Sequence, residues 1–398
     1  MSPTTDNSSN NPFANYQFEI YNEGLAGKLP TLPIAFTELE QRAREKLDRG
    51  AFDYVAGGAG AEETMRSNRE AFGRWRIAPR MLRNVESRNL GLNLLGFDMP
   101  APLLIAPVGV LSIVHPEAEL AVARAASSMG LTMLLSTVSS YPLEEVSRSA
   151  ATTETFRGWF QLYWPKNRDF VSSLLHRAEQ AGYSALVVTL DSKFLGWRPR
   201  DLAGSYLPFL RGAGIANYIS DPIFCAGLKC PPAEDMASAI LHWTQLFSET
   251  NITWDDLKFL RAQTRLPILL KGVLHADDVR RAADFGMDAI VVSNHGGRQV
   301  DGAVAALDCL PGAVAGAGKM PVLFDSGIRS GADIVKALAL GAKAVLIGRP
   351  YVYGLALGGE AGVKAVLRGL LAELDLTMAL SGIPDLDGLT PELLEKVH

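Results

Sequence analysis

DAIVVSNHGGR, residues 288 to 298, joins a short apolar run to a polar string. Ala289-Ile290-Val291-Val292 has the unbroken β-branched character of a strand buried on both faces, as in a parallel sheet. Ser293 to Arg298 then ends the strand in chemistry. Gly296 and Gly297 allow positive φ and close approach of another molecule to the backbone, His295 offers a base near neutral pH, and Arg298 a planar cationic fork. A lone histidine after a strand is ordinarily a satisfied structural imidazole, so the weight of this reading comes from recurrence of the pattern elsewhere.

It recurs on both sides. Going back along the chain, strand-like runs stand at 267–270, 185–190, 159–163, 131–135 and 103–106; going forward, at 322–324 and 344–347. Helical spacing separates most of them, with Pro116 opening one helix, Gly130 closing it, and others over 170–180 and 277–285. Eight strands alternating with helices predict an α/β chain closed into a (β/α)8 TIM barrel over 101–375. Upstream, 36–100 reads as a helical lead-in. TELE at 37–40 has the form of a capping box with Thr37 as N-cap and Glu40 reaching back, Gly50 ends that helix, and Tyr54 follows. Gly58-Ala59-Gly60 lacks the strand and the complete G-x-G-x-x-G of a dinucleotide site. Between the fourth and fifth strands, 192–248 carries Pro199, Pro208, Pro222, Pro231 and Pro232 among aromatics and shows no βα unit. So long a connection inside a barrel is expected to be a lid.

Composition narrows the function. The chain has 398 residues, 48% of them apolar, and a net charge of −5; its mean hydropathy is +0.10. It is long enough for a barrel as one domain, expected over 16–398, and no apolar run reaches the roughly 18 residues of a membrane span. The acidic balance leaves no footprint for nucleic acid. Cys225, Cys230 and Cys309 have no metal-ligand spacing and suit a reducing compartment, so no metal is expected and the cytoplasm is. Residues 1–15, polar and without the basic and apolar regions of a secretory signal, are expected to be disordered.

Barrels of this kind build their active sites at the C-terminal ends of the strands. Those positions here are Ala106-Pro107-Val108-Gly109, Ser136, Gln161 with Tyr163, Thr189 with Asp191, Lys271, Ser293 with His295, Asp325 with Ser326-Gly327, and Gly348-Arg349. Arg198, Lys271, Arg298, Arg329 and Arg349 outnumber the carboxylates Asp191 and Asp325. Buried charge must be paired, so anionic ligands are expected. The loops DSGIRSGAD and IGRP follow the seventh and eighth strands, where backbone N–H groups and a helix N-terminus commonly hold phosphate. A second anion near His295, between Arg198 and Arg298, is matched to a carboxylate by planar forks.

SNHGGRQ (293–299), FDSGIRSGADIVKALALGA (324–342) and IGRPY (347–351) resemble the FMN-dependent α-hydroxy acid oxidoreductases, a family that includes glycolate oxidase, lactate oxidase and lactate monooxygenase. The likeness runs from YNEGL at Tyr21 to Gly382. GWRPRDL (196–202), PFLRG (208–212), NYISDPIF (217–224), the long lid and Gly109 most resemble the lactate 2-monooxygenase branch. The resemblance implies that Tyr54, Tyr163, Arg198 and Arg298 bind substrate, that His295 is the base, and that Asp191 pairs with it. It implies FMN held by Ala106, Pro107, Val108, Ser136, Gln161, Thr189, Lys271 and Ser293, with Asp325, Gly327, Arg329, Gly348 and Arg349 around its ribityl chain and phosphate. It also implies that Lys271 stabilises charge on the flavin. The implied activity is oxidation of a small L-2-hydroxy acid such as lactate with O2, running on to oxidative decarboxylation in the monooxygenase case. A simple oxidase or a dehydrogenase with another acceptor are the alternatives, and a homo-tetramer or octamer is the implied assembly.

Overall fold

Successive side chains of a strand point to opposite faces, and in a barrel both faces are buried. The computed structural model, which describes residues 13–151, 156 and 158–397, shows that rule acting on eight short strands. They are β1 (Leu103–Ile105), β2 (Thr132–Ser136), β3 (Gly158–Leu162), β4 (Leu186–Thr189), β5 (Ile268–Val273), β6 (Ala289–Val292), β7 (Val322–Phe324) and β8 (Ala344–Ile347). All pair in parallel and in sequence order, and β8 closes on β1 with Leu346 opposite Leu104. This is the (β/α)8 TIM barrel, and closure leaves no exposed edge.

Leu104, Leu134, Trp159, Val187, Leu269, Val291, Leu323 and Leu346 form one buried cluster inside the ring. Their neighbours, such as Ile105, Phe160 and Val292, belong to a second cluster shared with the helices outside. Two residues beyond each inner apolar side chain, and therefore on the same face, come Ala106, Ser136, Gln161, Thr189, Lys271, Ser293, Asp325 and Gly348. The apolar interior thus ends in a layer that is mostly polar, at the C-terminal end of every strand.

The lead-in differs from expectation in detail. Its first helix is Phe36–Lys46, preceded by Ala35, and neither Thr37 nor another side chain caps it. Thr37 sits inside the first turn because Phe36 enters the helix and packs against Tyr353 at 5.9 Å. Glu40, instead of reaching back, accepts from the Tyr353 hydroxyl at 2.8 Å. Gly50 does not end that helix but lies in the next, Arg49–Ala56. After the helix Glu63–Gly73, the lead-in turns to short strands. Trp75–Ile77 pairs with Leu394–Lys396, and Leu92–Leu94 forms a hairpin with Phe97–Met99. Leu94 and Met99 of that hairpin join the barrel's inner cluster. Of the expected disordered residues 1–15, 1–12 lie outside the described residues. Ala14 is buried, its N–H donates to Asp375 at 2.8 Å, and the helix Asn15–Leu25 follows.

The 192–248 segment contains no barrel strand but carries short helices: Pro199–Ala203, Pro208–Arg211, Ala216–Ile219, Pro222–Cys225 and Met236–Leu246. Three of its prolines stand at the first position of a helix, where the missing N–H costs nothing and φ is already right. Asp221 caps Pro222–Cys225 by accepting from Ile223 and Phe224, and Asp235 caps Met236–Leu246 by accepting from Ser238. No helix among the described residues is long and apolar enough to cross a membrane.

Candidate active site

The polar layer is internally bonded. Ser136 Oγ donates to Gln161 Oε1 at 3.1 Å and Gln161 Nε2 to Thr189 Oγ1 at 2.9 Å. Across the ring, Lys271 Nζ donates to Ser293 Oγ at 3.1 Å and lies 3.2 Å from Asp325 Oδ2. Burial works against the Lys271 charge, but Asp325 and Asp191 outweigh it and hold its pKa above the usual value.

Past β6 the chain turns sharply. His295, Gly296 and Gly297 have φ of +59, +64 and +76, a region an L-residue such as His295 rarely adopts. The turn is held by Ser293 Oγ, which accepts from the His295 N–H at 3.0 Å, and by Ser326 Oγ, which accepts from Gly296 N–H at 3.0 Å. It brings His295 Nδ1 to 2.9 Å from Asp191 Oδ1 after β4, with Ser192 Oγ at 3.3 Å. Burial opposes the Asp191 charge, yet His295 and Lys271 keep its pKa below the usual carboxylate value. Burial, with Lys271 and Arg198 nearby, holds His295 below its ordinary value despite Asp191. A neutral imidazole donating through Nδ1 to a carboxylate leaves Nε2 as a free acceptor.

A cavity opens over this layer. Its wall includes Ala106, Pro107, Val108, Lys271, Asp325, Gly327, Arg329, Gly348 and Arg349, and also Tyr54, Tyr163, Arg198, His295 and Arg298. All of these were singled out from the sequence, and they face one space. Asp191, Ser136, Gln161, Thr189 and Ser293 stand behind that wall, bonded to residues on it or to each other.

The cations are held in an unusual way. Arg298 donates to Gly57 O at 2.7 Å; Arg349 donates to Val55 O at 3.0 Å, Gly57 O at 2.8 Å and Gly296 O at 3.1 Å; Arg329 donates to Ile328 O at 2.8 Å. Backbone carbonyls orient these guanidinium groups without neutralising them. Burial, followed by Arg198 for Arg298 and by Arg349 for Arg329, pulls both down to about 9. Such a surplus of positive charge at a half-buried wall is suited to anionic ligands.

Several contributors were given no role by the sequence reading. Leu195, Phe209 and Phe247 of the 192–248 segment line the cavity, and Phe209 meets Tyr54 edge-on at 6.4 Å while Phe247 packs on Tyr163 at 5.6 Å. Asn68 and Asn294 exchange two side-chain hydrogen bonds of 2.8 Å beneath the His295 turn. Ser192 and Ser326 support it from the side. Leu195, Phe247, Asn68 and Ser192 carried no signal, whereas Phe209 stands in PFLRG, Asn294 in SNHGGRQ and Ser326 in the loop after β7. Gly109 has a packing reason: a Cβ there would lie 2.5 Å from Val138 Cγ2, so its missing methyl admits the loop after β2.

The family described as FMN-dependent dehydrogenase matches residues 43–396. Among curated relatives, the FMN-dependent alpha-hydroxy acid dehydrogenase qulF of Penicillium citrinum is 45% identical over 378 residues, 93% of each chain. L-lactate oxidase of Lysinibacillus sphaericus is 44% identical over 92% of this chain and 93% of its own. 2-Hydroxyacid oxidase 1 of Homo sapiens is 40% identical over 92% of this chain and 98% of its own. A crystal structure of mandelate oxidase with (S)-4-hydroxymandelic acid superposes with a TM-score of 0.81 at 38% identity, covering 92% of this chain and 99% of that one. With nine-tenths of its length matched and a barrel whose mouth gathers an imidazole and an excess of cations, this chain belongs to the FMN-dependent dehydrogenase family.

Proposed function

We propose that the protein oxidises a small L-2-hydroxy acid, lactate being the reference substrate, with O2 as acceptor. The observation that carries this is that His295, backed by Asp191, shares one cavity wall with the forks of Arg198 and Arg298. FMN is the family's cofactor, and the residues present fit it. The polar layer offers side chains to a ring system, and Arg329 and Arg349 stand uncompensated where the helices Gly331–Ala339 and Arg349–Leu380 begin, positions suited to a phosphate. When bound, FMN would accept the two electrons that leave the substrate together with its α-hydrogen and pass them on to O2.

The protein's own part follows from the geometry. Arg198 and Arg298 grip the substrate carboxylate, with the hydroxyls of Tyr54 and Tyr163 alongside, which orients the α-carbon. His295 Nε2 accepts the proton of the 2-hydroxyl, and Asp191 stabilises the imidazolium so formed. Ala106, Pro107, Val108, Ser136, Gln161, Thr189 and Ser293 hold the ring system, Lys271 adds fixed positive charge beside it, and Asp325, Gly327, Arg329, Gly348 and Arg349 hold the ribityl phosphate. The test is anaerobic bleaching of the purified yellow protein across a panel of 2-hydroxy acids. Bleaching by the L-enantiomers is expected; a flavin that none of them bleaches refutes the reading.

A second reading, oxidative decarboxylation of lactate to acetate, CO2 and water, is favoured by Leu195, Phe209 and Phe247, which roof the cavity and would retain the oxo acid. It keeps the likeness to lactate 2-monooxygenase, whereas the names of the relatives favour release of oxo acid and H2O2. Product analysis in air separates the two, since stoichiometric pyruvate and H2O2 exclude decarboxylation. A cytoplasmic homo-oligomer of four or eight chains completes the proposal, and sedimentation of the purified protein tests its size.

A further inference from the structure

Gln299 follows Arg298 directly and lines the cavity, yet none of the roles above uses it. Its side chain makes three hydrogen bonds. Nε2 donates to the backbone carbonyls of Asp191 at 2.8 Å and Phe194 at 2.9 Å, and Oε1 accepts from Arg198 Nη2 at 2.8 Å. Two carbonyls on one side and a guanidinium on the other allow the amide a single orientation, because a carbonyl cannot donate and a guanidinium cannot accept.

Each bond reaches a working part of the site. Asp191 and Phe194 bracket the turn whose Asp191 and Ser192 side chains face His295 Nδ1. On Arg198, Nε is taken by Arg298 O at 3.2 Å and Nη2 by Gln299, so the protein fills the Nε/Nη2 edge. On the other edge Nη1 lies 3.9 Å from Asp201 Oδ2, too far for a hydrogen bond, so the N–H groups of Nη1 and the second one of Nη2 remain to donate to a substrate carboxylate. The close approach that makes this possible is built in at Gly196, where a Cβ would lie 2.4 Å from Arg298 O.

We propose that Gln299 is a positioning residue for 2-hydroxy acid oxidation: one amide sets both the free edge of Arg198 and the seat of the Asp191–His295 pair. Carboxylate grip and proton acceptance are thereby adjusted together. This rests on the functional reading given above. A residue that only held the fold would lower stability and move neither.

Gln299→Met removes all three bonds at similar volume, and Gln299→Glu keeps the acceptor for Arg198 while turning a carboxylate toward the two carbonyls. Three quantities are measured on the FMN holoenzyme: the dissociation constant of oxalate, the rate of anaerobic flavin reduction by lactate against pH, and retention of FMN. For both variants oxalate is expected to bind about 10- to 100-fold more weakly and reduction to slow by a similar factor, the scale of a misplaced catalytic group. The acid limb of the pH profile is expected to move, with FMN retention within about twofold of the parent on that same scale. Should Gln299→Met fail to fold, Gln299→Glu carries the comparison. The proposal is overturned if oxalate binding and the acid limb both match the parent whatever happens to Tm, or if only one of them moves. A parent enzyme that no 2-hydroxy acid reduces brings down the functional reading itself, a different result from variants that equal an active parent.

Discussion

His295 is held at a φ of +59 by hydrogen bonds to its own turn, and an L-residue keeps such a conformation only when its surroundings impose it. What the strain achieves is direction, turning Nδ1 toward Asp191 and leaving Nε2 for the cavity. Loss of the imidazole should therefore remove chemistry without removing cofactor. His295→Gln is expected to stay folded and yellow while anaerobic flavin reduction falls by about 10²- to 10⁴-fold, the range of general base catalysis. Reduction at the parental rate would assign the base elsewhere. The pH dependence has a definite sign. A base works only when neutral, and burial keeps His295 below its ordinary value, so kcat/KM should fall as pH drops with a midpoint below 6.5. A limb centred above 6.5 would contradict the burial argument.

At the scale of one element, β5 shows how a strand is bent to serve a side chain on its neighbour. Its ladder to β6 shifts register between Lys271 and Val273, and Gly272 between them has a φ of +96. A Cβ at 272 would lie 2.6 Å from Asp191 Cγ and 2.7 Å from Oδ2, so this glycine makes the room in which Asp191 faces His295. Gly272→Ala is expected to cost about 1–3 kcal/mol of backbone strain and to displace Asp191. Anaerobic reduction should slow about 10- to 100-fold, as for other groups that orient a reacting residue. An alanine variant with parental kinetics would show that the carboxylate has other space. The strands were legible in the sequence because burial on both faces leaves unbroken apolar runs such as Ala289–Val292. The bulge was not, since Gly272 looks like any residue after a strand end. Nor were the helices of 192–248, where Pro199, Pro208 and Pro222 read as breakers although each begins a helix. Thr37 failed for a related reason: its local spacing fits a capping box, and only the distant Tyr353 decides that Phe36 lies inside the helix.

The whole molecule makes the site legible in another way, because a closed ring of parallel strands sends every second residue inward and so converts eight strand ends into one layer. Ser136, Gln161, Thr189, Lys271, Ser293 and Asp325 could be picked out for that reason. Asn68 could not, since it meets Asn294 only through tertiary packing over 226 positions of sequence. Glu119 was equally silent, and it governs a property of the entire fold. It is fully buried in the helix Ala118–Ser127, where Oε1 accepts from the N–H of Leu111 at 3.2 Å and of Ser140 at 3.0 Å, tying the loops after β1 and β2. Its Oε2 has no partner among the described residues. Burial raises its pKa from 4.5 to about 7, against the lowering by those backbone donors. A carboxyl whose folded value is the higher one binds its proton more tightly when folded. Its contribution is therefore complete below pH 4.5 and is lost as pH rises through about 7, amounting to roughly 3 kcal/mol across that span. Glu119→Gln keeps the acceptor and the shape but cannot ionise. Urea unfolding from pH 4 to pH 8 should show the parent losing stability relative to the variant as pH rises, with the two nearly equal at pH 4. Curves that stay parallel over this range would mean that Glu119 ionises inside the fold without cost.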